Sequence, residues 1–184
     1  MIFHELTAMN VIMAYSTTIL EEIFGKDTPG FNARDGTYMV GLFNFIGSCF
    51  STLTVTYFSR RPLLLFGHSG IFLIYTLMGF FTYYKKNILV LVTMCSNLVV
   101  YQNTSGPIAW AYASETLCDV SLGMVLLTLF ATVFVLNLTT QPLMDSKLEQ
   151  YGVFWLFGTF NFFAIFYVYF LLPETKGLTH AEKR

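Results

Sequence analysis

The residues best suited to metal chemistry lie near the amino end of this sequence. His4 and Glu5 are adjacent, and His-Glu opens the zinc-protease motif His-Glu-x-x-His. That motif needs a second histidine one helical turn later, where this chain has Ala8. The other histidines, His68 and His180, have no partner at ligand spacing. The spacing therefore predicts no metal site.

Other kinds of enzyme chemistry find equally little support. The sequence shows no nucleophile–base pair and no glycine-rich phosphate loop. Its cysteines, Cys49, Cys95 and Cys118, are odd in number and lack the spacing of a disulfide framework or a metal site. Cysteines of this kind are mostly small buried hydrophobes. We therefore predict that the chain is not an enzyme and uses no cofactor.

Two asparagines, Asn10 and Asn44, fall inside apolar stretches. A side-chain amide at membrane depth needs a hydrogen-bond partner, and it offers both donors and an acceptor. Sugar hydroxyls match such a group well, and so does a neighbouring helix. Both interpretations, a sugar contact and an interhelical hydrogen bond, remain open.

A helix break is predicted at Gly106-Pro107, because proline removes a backbone donor and clashes with the preceding turn. A broken helix inside a membrane protein can line a cavity. Trp110, one turn further on, would then be able to stack on a sugar face. A kink that serves only the fold is the alternative.

Composition indicates what kind of structure holds these residues. The 184 residues are 55% hydrophobic and 11% charged, with a mean hydropathy of +0.60. Soluble domains carry about 25% charged residues, so a soluble or disordered chain is excluded. The net charge of −1 provides no basic field for nucleic acid. The sequence therefore predicts an integral membrane protein whose first partner is the lipid bilayer.

Six apolar stretches are long enough to cross a bilayer, which takes about 20 residues each. They cover about residues 3–22, 37–58, 63–83, 88–115, 120–143 and 152–173. Barrel strands are half as long and alternate in polarity. We therefore predict an all-α bundle of six transmembrane helices, one domain over residues 1–184, with both ends on the same side.

The positive-inside rule does not orient this bundle, because each side carries five lysines and arginines. The prediction is a multi-pass integral membrane protein. The plasma membrane and the inner membrane of an organelle both remain open.

Short segments along the whole chain resemble the second half of a sugar porter of the major facilitator superfamily. His-Glu-Leu-Thr-Ala-Met-Asn at 4–10, with Tyr-Ser-Thr at 15–17, is similar to the family's seventh helix. Ser-Arg-Arg-Pro at 59–62 resembles its Gly-Arg-Arg loop, and Gly-Pro-Ile-Ala-Trp at 106–110 resembles its tenth helix. Pro-Glu-Thr-Lys-Gly at 173–177 matches the signature that closes its twelfth.

This resemblance implies family helices seven to twelve, cytoplasmic termini, and a chain without the amino-terminal six helices. Asn10, Asn44 and Trp110 match positions that would bind a hexose between the two halves of such a transporter. His4 and Glu5 stand where the family has two glutamines, so a neutral amide pair is replaced by titratable groups.

The resemblance also implies a cytoplasmic charge network that latches the two halves. Its members here are Arg60, Arg61, Glu115 and Glu174. Four neighbouring positions depart from the family pattern, since Thr56, Ser59, Val120 and Leu122 replace an acid, a glycine and two arginines. A latch with fewer charged partners biases the two states less.

Two functions follow as hypotheses. The first is a transporter-derived half-fold that serves as an accessory subunit of a larger membrane-protein complex and transports nothing. The second is hexose transport, in which the chain is a fragment, works with a second six-helix half, or pairs with its own copy. The altered sugar and latch positions favour the first.

Overall fold

The computed structural model describes residues 1–24 and 33–173, and these residues form helices joined by short turns. The helices are α1 (Ile2–Glu5), α2 (Met9–Phe24), α3 (Ala33–Tyr57), α4 (Arg60–Tyr83), α5 (Asn87–Asn103), α6 (Ser105–Thr116), α7 (Asp119–Met144) and α8 (Glu149–Leu171). Within these ranges, five helical stretches are long and apolar enough to cross a membrane, with α5 and α6 counted together. With α1 and α2 they make one six-span bundle.

The first predicted span is not one continuous helix. α1 ends at Glu5, Ala8 takes a φ of 55°, and α2 then begins at Met9. The predicted span over residues 3–22 therefore contains two helices with a break between them. The break frees the Thr7 carbonyl oxygen, and the buried hydroxyl of Tyr75 donates to it at 2.7 Å. Because backbone groups in a membrane must find partners inside the protein, this bond stabilises the break.

The fourth predicted span is broken two residues before the predicted Gly106-Pro107 pair. α5 ends at Asn103, and Thr104 adopts φ −130° and ψ −91° between the two helices. In a continuous helix the nitrogen of Pro107 would have to donate to the carbonyl of Asn103, and it has no hydrogen to donate. Gly106 and Pro107 therefore lie in the first turn of α6, where backbone N–H groups lack helical partners anyway.

The core lies where α4 packs against α8 and α5. Tyr75 of α4 is fully buried and contacts the rings of Phe154 and Phe157 on α8. Gly67 lets α4 pack closely against Thr104, at the break between α5 and α6. A Cβ at this position would lie 2.3 Å from the Thr104 hydroxyl. A small residue is therefore required at this crossing.

Helices α3 and α7 leave one apolar face each uncovered. The α7 stripe consists of Val120, Met124, Leu127, Phe130, Phe134 and Leu138, each at least 65% exposed. The α3 stripe consists of Tyr38, Leu42, Phe45, Phe50, Leu53 and Tyr57. α2 packs against both of these helices.

Candidate functional site

The break between α1 and α2 brings four polar side chains together, which we call the polar cluster: His4, Glu5, Asn10 and Tyr101. Asn10 Nδ2 donates to Glu5 Oε2 at 2.6 Å, and Glu5 Oε1 lies 3.5 Å from His4 Nε2. The Tyr101 hydroxyl lies 3.1 Å from the same His4 nitrogen. Three predicted site residues therefore meet, joined by a tyrosine of α5.

The polar cluster is buried except at one end. His4 and Glu5 are 6% and 4% exposed, whereas Asn10, at the start of α2, is exposed. Trp110, 42% exposed, lies edge-on to His4 with their ring centroids 6.4 Å apart. Asn10 and Trp110 are thus the members of the predicted site that an external group can reach.

Asn44 lies apart from this cluster and has a different partner. Gln102 Nε2 of α5 donates to Asn44 Oδ1 at 2.6 Å. One residue on from Gln102, Asn103 Oδ1 accepts a hydrogen bond from the Thr54 hydroxyl of α3 at 2.9 Å. Both bonds join α3 to α5, which corresponds to the interhelical interpretation of Asn44. Its amide oxygen is therefore already engaged by a neighbouring helix.

Two residues of the predicted charge network form an ion pair. Arg60 Nη2 donates to Glu115 Oε1 at 3.1 Å, and both side chains are about one-fifth exposed, at 17% and 21%. Arg61 donates instead to the backbone carbonyl of Tyr169 on α8. Glu174 lies outside the described residues. This ion pair thus joins α4 to α6 at one end of the bundle.

Sequence reasoning missed a second buried polar pair. His68 Nδ1 of α4 lies 3.1 Å from Asn161 Oδ1 of α8, and both residues are at most 3% exposed. A cavity of about 190 Å³ extends between His68 and His4. Ionisable residues within apolar spans were the available signal, because burial there requires a partner. The partner itself, 93 positions away, had no local signal.

Tyr101 was also missed, although it precedes a run of polar residues at 102–105 in an otherwise apolar span. The described ranges contain no candidate metal site, because no three histidine, cysteine or acidic side chains come together there. The arrangement offers hydrogen-bond donors, acceptors and an aromatic face. Such a surface is chemically suited to a polyhydroxyl ligand or to polar groups of another helix.

Comparison with known proteins identifies the fold and its family. The family model described as "Sugar (and other) transporter" matches residues 1–183. A relative, "D-xylose-proton symporter-like 1" of Arabidopsis thaliana, is 30% identical, and the match covers 98% of this chain and 37% of that protein. "Facilitated trehalose transporter Tret1" of Drosophila pseudoobscura pseudoobscura is 27% identical over 97% of this chain and 21% of its own length.

Solved structures show the same correspondence. A double tryptophan mutant of XylE superimposes with a TM-score of 0.87 at 24% identity, over 99% of this chain and 40% of that one. The inward-open xylose transporter XylE from E. coli gives a TM-score of 0.80 at 25% identity, over 99% of this chain and 39% of that one. The chain thus has the fold of one half of the major facilitator superfamily and spans about two-fifths of these transporters. It is a multi-pass integral membrane protein that belongs to the sugar transporter family.

Proposed function

We propose that this half-fold serves as an accessory subunit that packs against other membrane-protein helices and transports no sugar by itself. One observation carries the proposal: α2 exposes Asn10, and α3 and α7, which both pack against α2, each leave an apolar stripe uncovered. Polar residues at membrane depth face protein or a water-filled cavity rather than lipid. A polypeptide that covers Asn10 therefore suits it better than a bilayer.

The hydrogen bonds of the site support the same proposal. Asn10 donates to Glu5, and Asn44 accepts from Gln102, so each amide already has an internal partner. A hexose would have to compete with these bonds. Glu5 also stands where the resemblance places a neutral glutamine, and a buried carboxylate accepts hydrogen bonds without donating any when ionised.

Transport with a second six-helix unit is the other candidate, and one observation favours it. Asn10 and Trp110 both remain reachable from outside the bundle. An exposed amide and an exposed indole provide a hydrogen bond and a stacking face, which together suit a sugar ring. The relatives named above are sugar transporters, so a hexose or another sugar would be the substrate, and both termini would be cytoplasmic.

Purification from the native membrane in a mild detergent, followed by native sizing and mass spectrometry, distinguishes the two. The accessory proposal expects a stoichiometric, larger assembly. It also expects liposomes that contain only this chain to take up no radiolabelled glucose or xylose above empty liposomes. Saturable uptake by the chain alone would overturn the proposal. A complex with one matching six-helix unit, active in uptake, would support transport instead.

A further inference from the structure

The polar cluster contains two ionisable groups that are buried side by side within the first membrane span. His4 and Glu5 are at least 94% buried, and the closest approach between their side chains is 3.5 Å. An isolated charge at such a place is very unfavourable, so ionisable groups there are paired and frequently mark proton sites. The pairing of these two groups limits how many protons they can hold.

The buried pair is more stable with one bound proton than with none or two. With one proton, the groups are either a neutral acid beside a neutral imidazole or a carboxylate beside an imidazolium, and both arrangements have no net charge. With none, Glu5 is a buried anion beside neutral His4. With two, His4 is a buried cation beside a neutral acid. Net charge in a low-dielectric site is disfavoured in both of the last two states.

The amino group of Met1 interacts electrostatically with Glu5, whereas the other neighbouring groups replace neither partner. The titratable groups that face the pair from the neighbouring segments are the amino group of Met1, His68, Tyr75, Tyr101, Tyr112 and Tyr167. Tyrosines are neutral near pH 7. His68 is held by Asn161. Among the described residues, His4 and Glu5 are therefore the acid–base pair at the break between α1 and α2.

We propose that His4 and Glu5 share a binding site for one proton, that this proton exchanges between the two groups, and that the fraction held on Glu5 controls how firmly Asn10 is held. The inference goes beyond the accessory role, because it requires neither a partner nor transport. The cavity of about 190 Å³ between His4 and His68 supplies the route to solvent. It has room for about six water molecules at roughly 30 Å³ each.

A single hydrogen bond transmits the effect of the proton to the surface of α2. When Glu5 is ionised, the bond from Asn10 Nδ2 to its Oε2 is charge-assisted, and such bonds are about twice as strong as neutral ones. Protonation of Glu5 weakens this bond and releases the amide toward the exposed side of α2. The bound proton thus changes which hydrogen bonds Asn10 offers there.

Trp110 reports on His4, because an imidazolium 6.4 Å away quenches indole emission more than a neutral imidazole does. The full chain with Trp155→Phe, in nanodiscs, leaves Trp110 as its one tryptophan. We expect one single-proton transition in its emission between about pH 4 and 9, a range that covers carboxyl and imidazole groups. His4→Gln should abolish it. Glu5→Gln should move the midpoint by about one pH unit or more, since strongly coupled groups titrate as a pair.

His68→Gln is the matched control and should keep the transition, as should a chain extended at its amino end to remove the Met1 amine. A transition that persists in His4→Gln, or no transition at all, overturns the proposal. Infrared difference spectra of the unsubstituted chain provide a second measurement. A solvent-protected carboxylic acid C=O band should appear and disappear with the same midpoint, and its absence would contradict the proposal even if a variant misfolds. Neither measurement depends on uptake, so the accessory role can fail independently.

Discussion

Helices α4 and α7 are both long and apolar enough to span a membrane, yet they pack in opposite ways. In α4, 44% of the apolar span is buried inside the protein, whereas in α7 the share is 6%. α4 contacts α8, α5 and α6, and α7 has smaller contacts with α8, α1 and α2. Apolarity therefore does not determine which helix forms the core of this bundle.

The difference lies in small residues and in where the polar groups bond. α4 has Gly67 at a close crossing and uses His68 and Tyr75 for bonds to other segments. The hydroxyls of Thr128 and Thr132 on α7 donate to carbonyls one turn back in the same helix. Lipid tails are as apolar as leucine, so close packing and interhelical bonds decide which helices associate in a membrane.

The largest expected effect comes from a methyl group at the α4 crossing. Gly67→Ala would place a Cβ 2.3 Å from Thr104 Oγ1 and 2.6 Å from its Cβ. We expect this overpacking to lower the free energy of unfolding by about 1–3 kcal/mol, measured by denaturant titration in mixed micelles. Gly123→Ala on α7 is the matched control, because a Cβ there meets nothing within 4 Å. Equal losses in the two variants would contradict the contrast between the helices.

A smaller effect is expected from the polar bond between α4 and α8. His68→Phe leaves Asn161 Oδ1 without the His68 nitrogen now 3.1 Å away. We expect a loss of about 0.5–2 kcal/mol, from the range for interhelical bonds in membranes. Thr132→Val on α7, which removes only a bond within its own helix, should change stability by less than about 0.5 kcal/mol. A greater loss for Thr132→Val would reverse the ranking of the two helices.

Photo-crosslinking from the uncovered face of α7 should identify its neighbours in the membrane, with no change in stability expected. A photo-crosslinking amino acid at Phe134, which is 68% exposed on the α7 stripe, should capture a protein partner in native membranes. The same group at Phe66 of α4, 73% exposed outside both stripes, is the control and should react mainly with lipid. The measurement is the mass of the adducts. Lipid adducts alone at Phe134 would count against the accessory proposal.

The smallest structural perturbation is alkylation of Cys118, in the turn between α6 and α7. The Cys118 thiol is exposed, and its hydrogen bond with Ser121 at 3.2 Å lowers its pKa below the usual value. A lower pKa means that the reactive thiolate is present at lower pH, so alkylation should reach half its maximal rate below about pH 8.5. Ser121→Ala should move that midpoint upward. Mass spectrometry of the labelled peptides measures the rate, and an unchanged midpoint would contradict the role of Ser121.

The same thiol also tests orientation. Cys118 lies two residues beyond the end of α6, near the Arg60–Glu115 ion pair that the resemblance places in the cytoplasm. A membrane-impermeant maleimide should therefore label it only from the cytoplasmic side. Buried Cys95 serves as the unreactive internal control.

The class of protein, the number of spans and the family could all be predicted from the amino-acid sequence. Apolar runs of about 20 residues leave few alternatives in a bilayer, because every backbone group must be paired within the segment. Motif order along the chain identified the sugar porter, and the family model and the solved structures confirmed it. Asn10, His4 and Glu5 were each singled out from the sequence as candidate site residues.

How that site is built, and which faces remain open, became visible only in the folded chain. At the break after Glu5, the Thr7 carbonyl accepts a bond from Tyr75, 68 positions away, and the Arg60–Glu115 pair joins residues 55 positions apart. Periodicity within one helix carries no information about such partners. The sequence also did not predict that α4 is buried and α7 exposed, because both helices are apolar spans. Helix packing in a membrane depends on shape and on polar bonds between segments, and these exist only once the chain is folded.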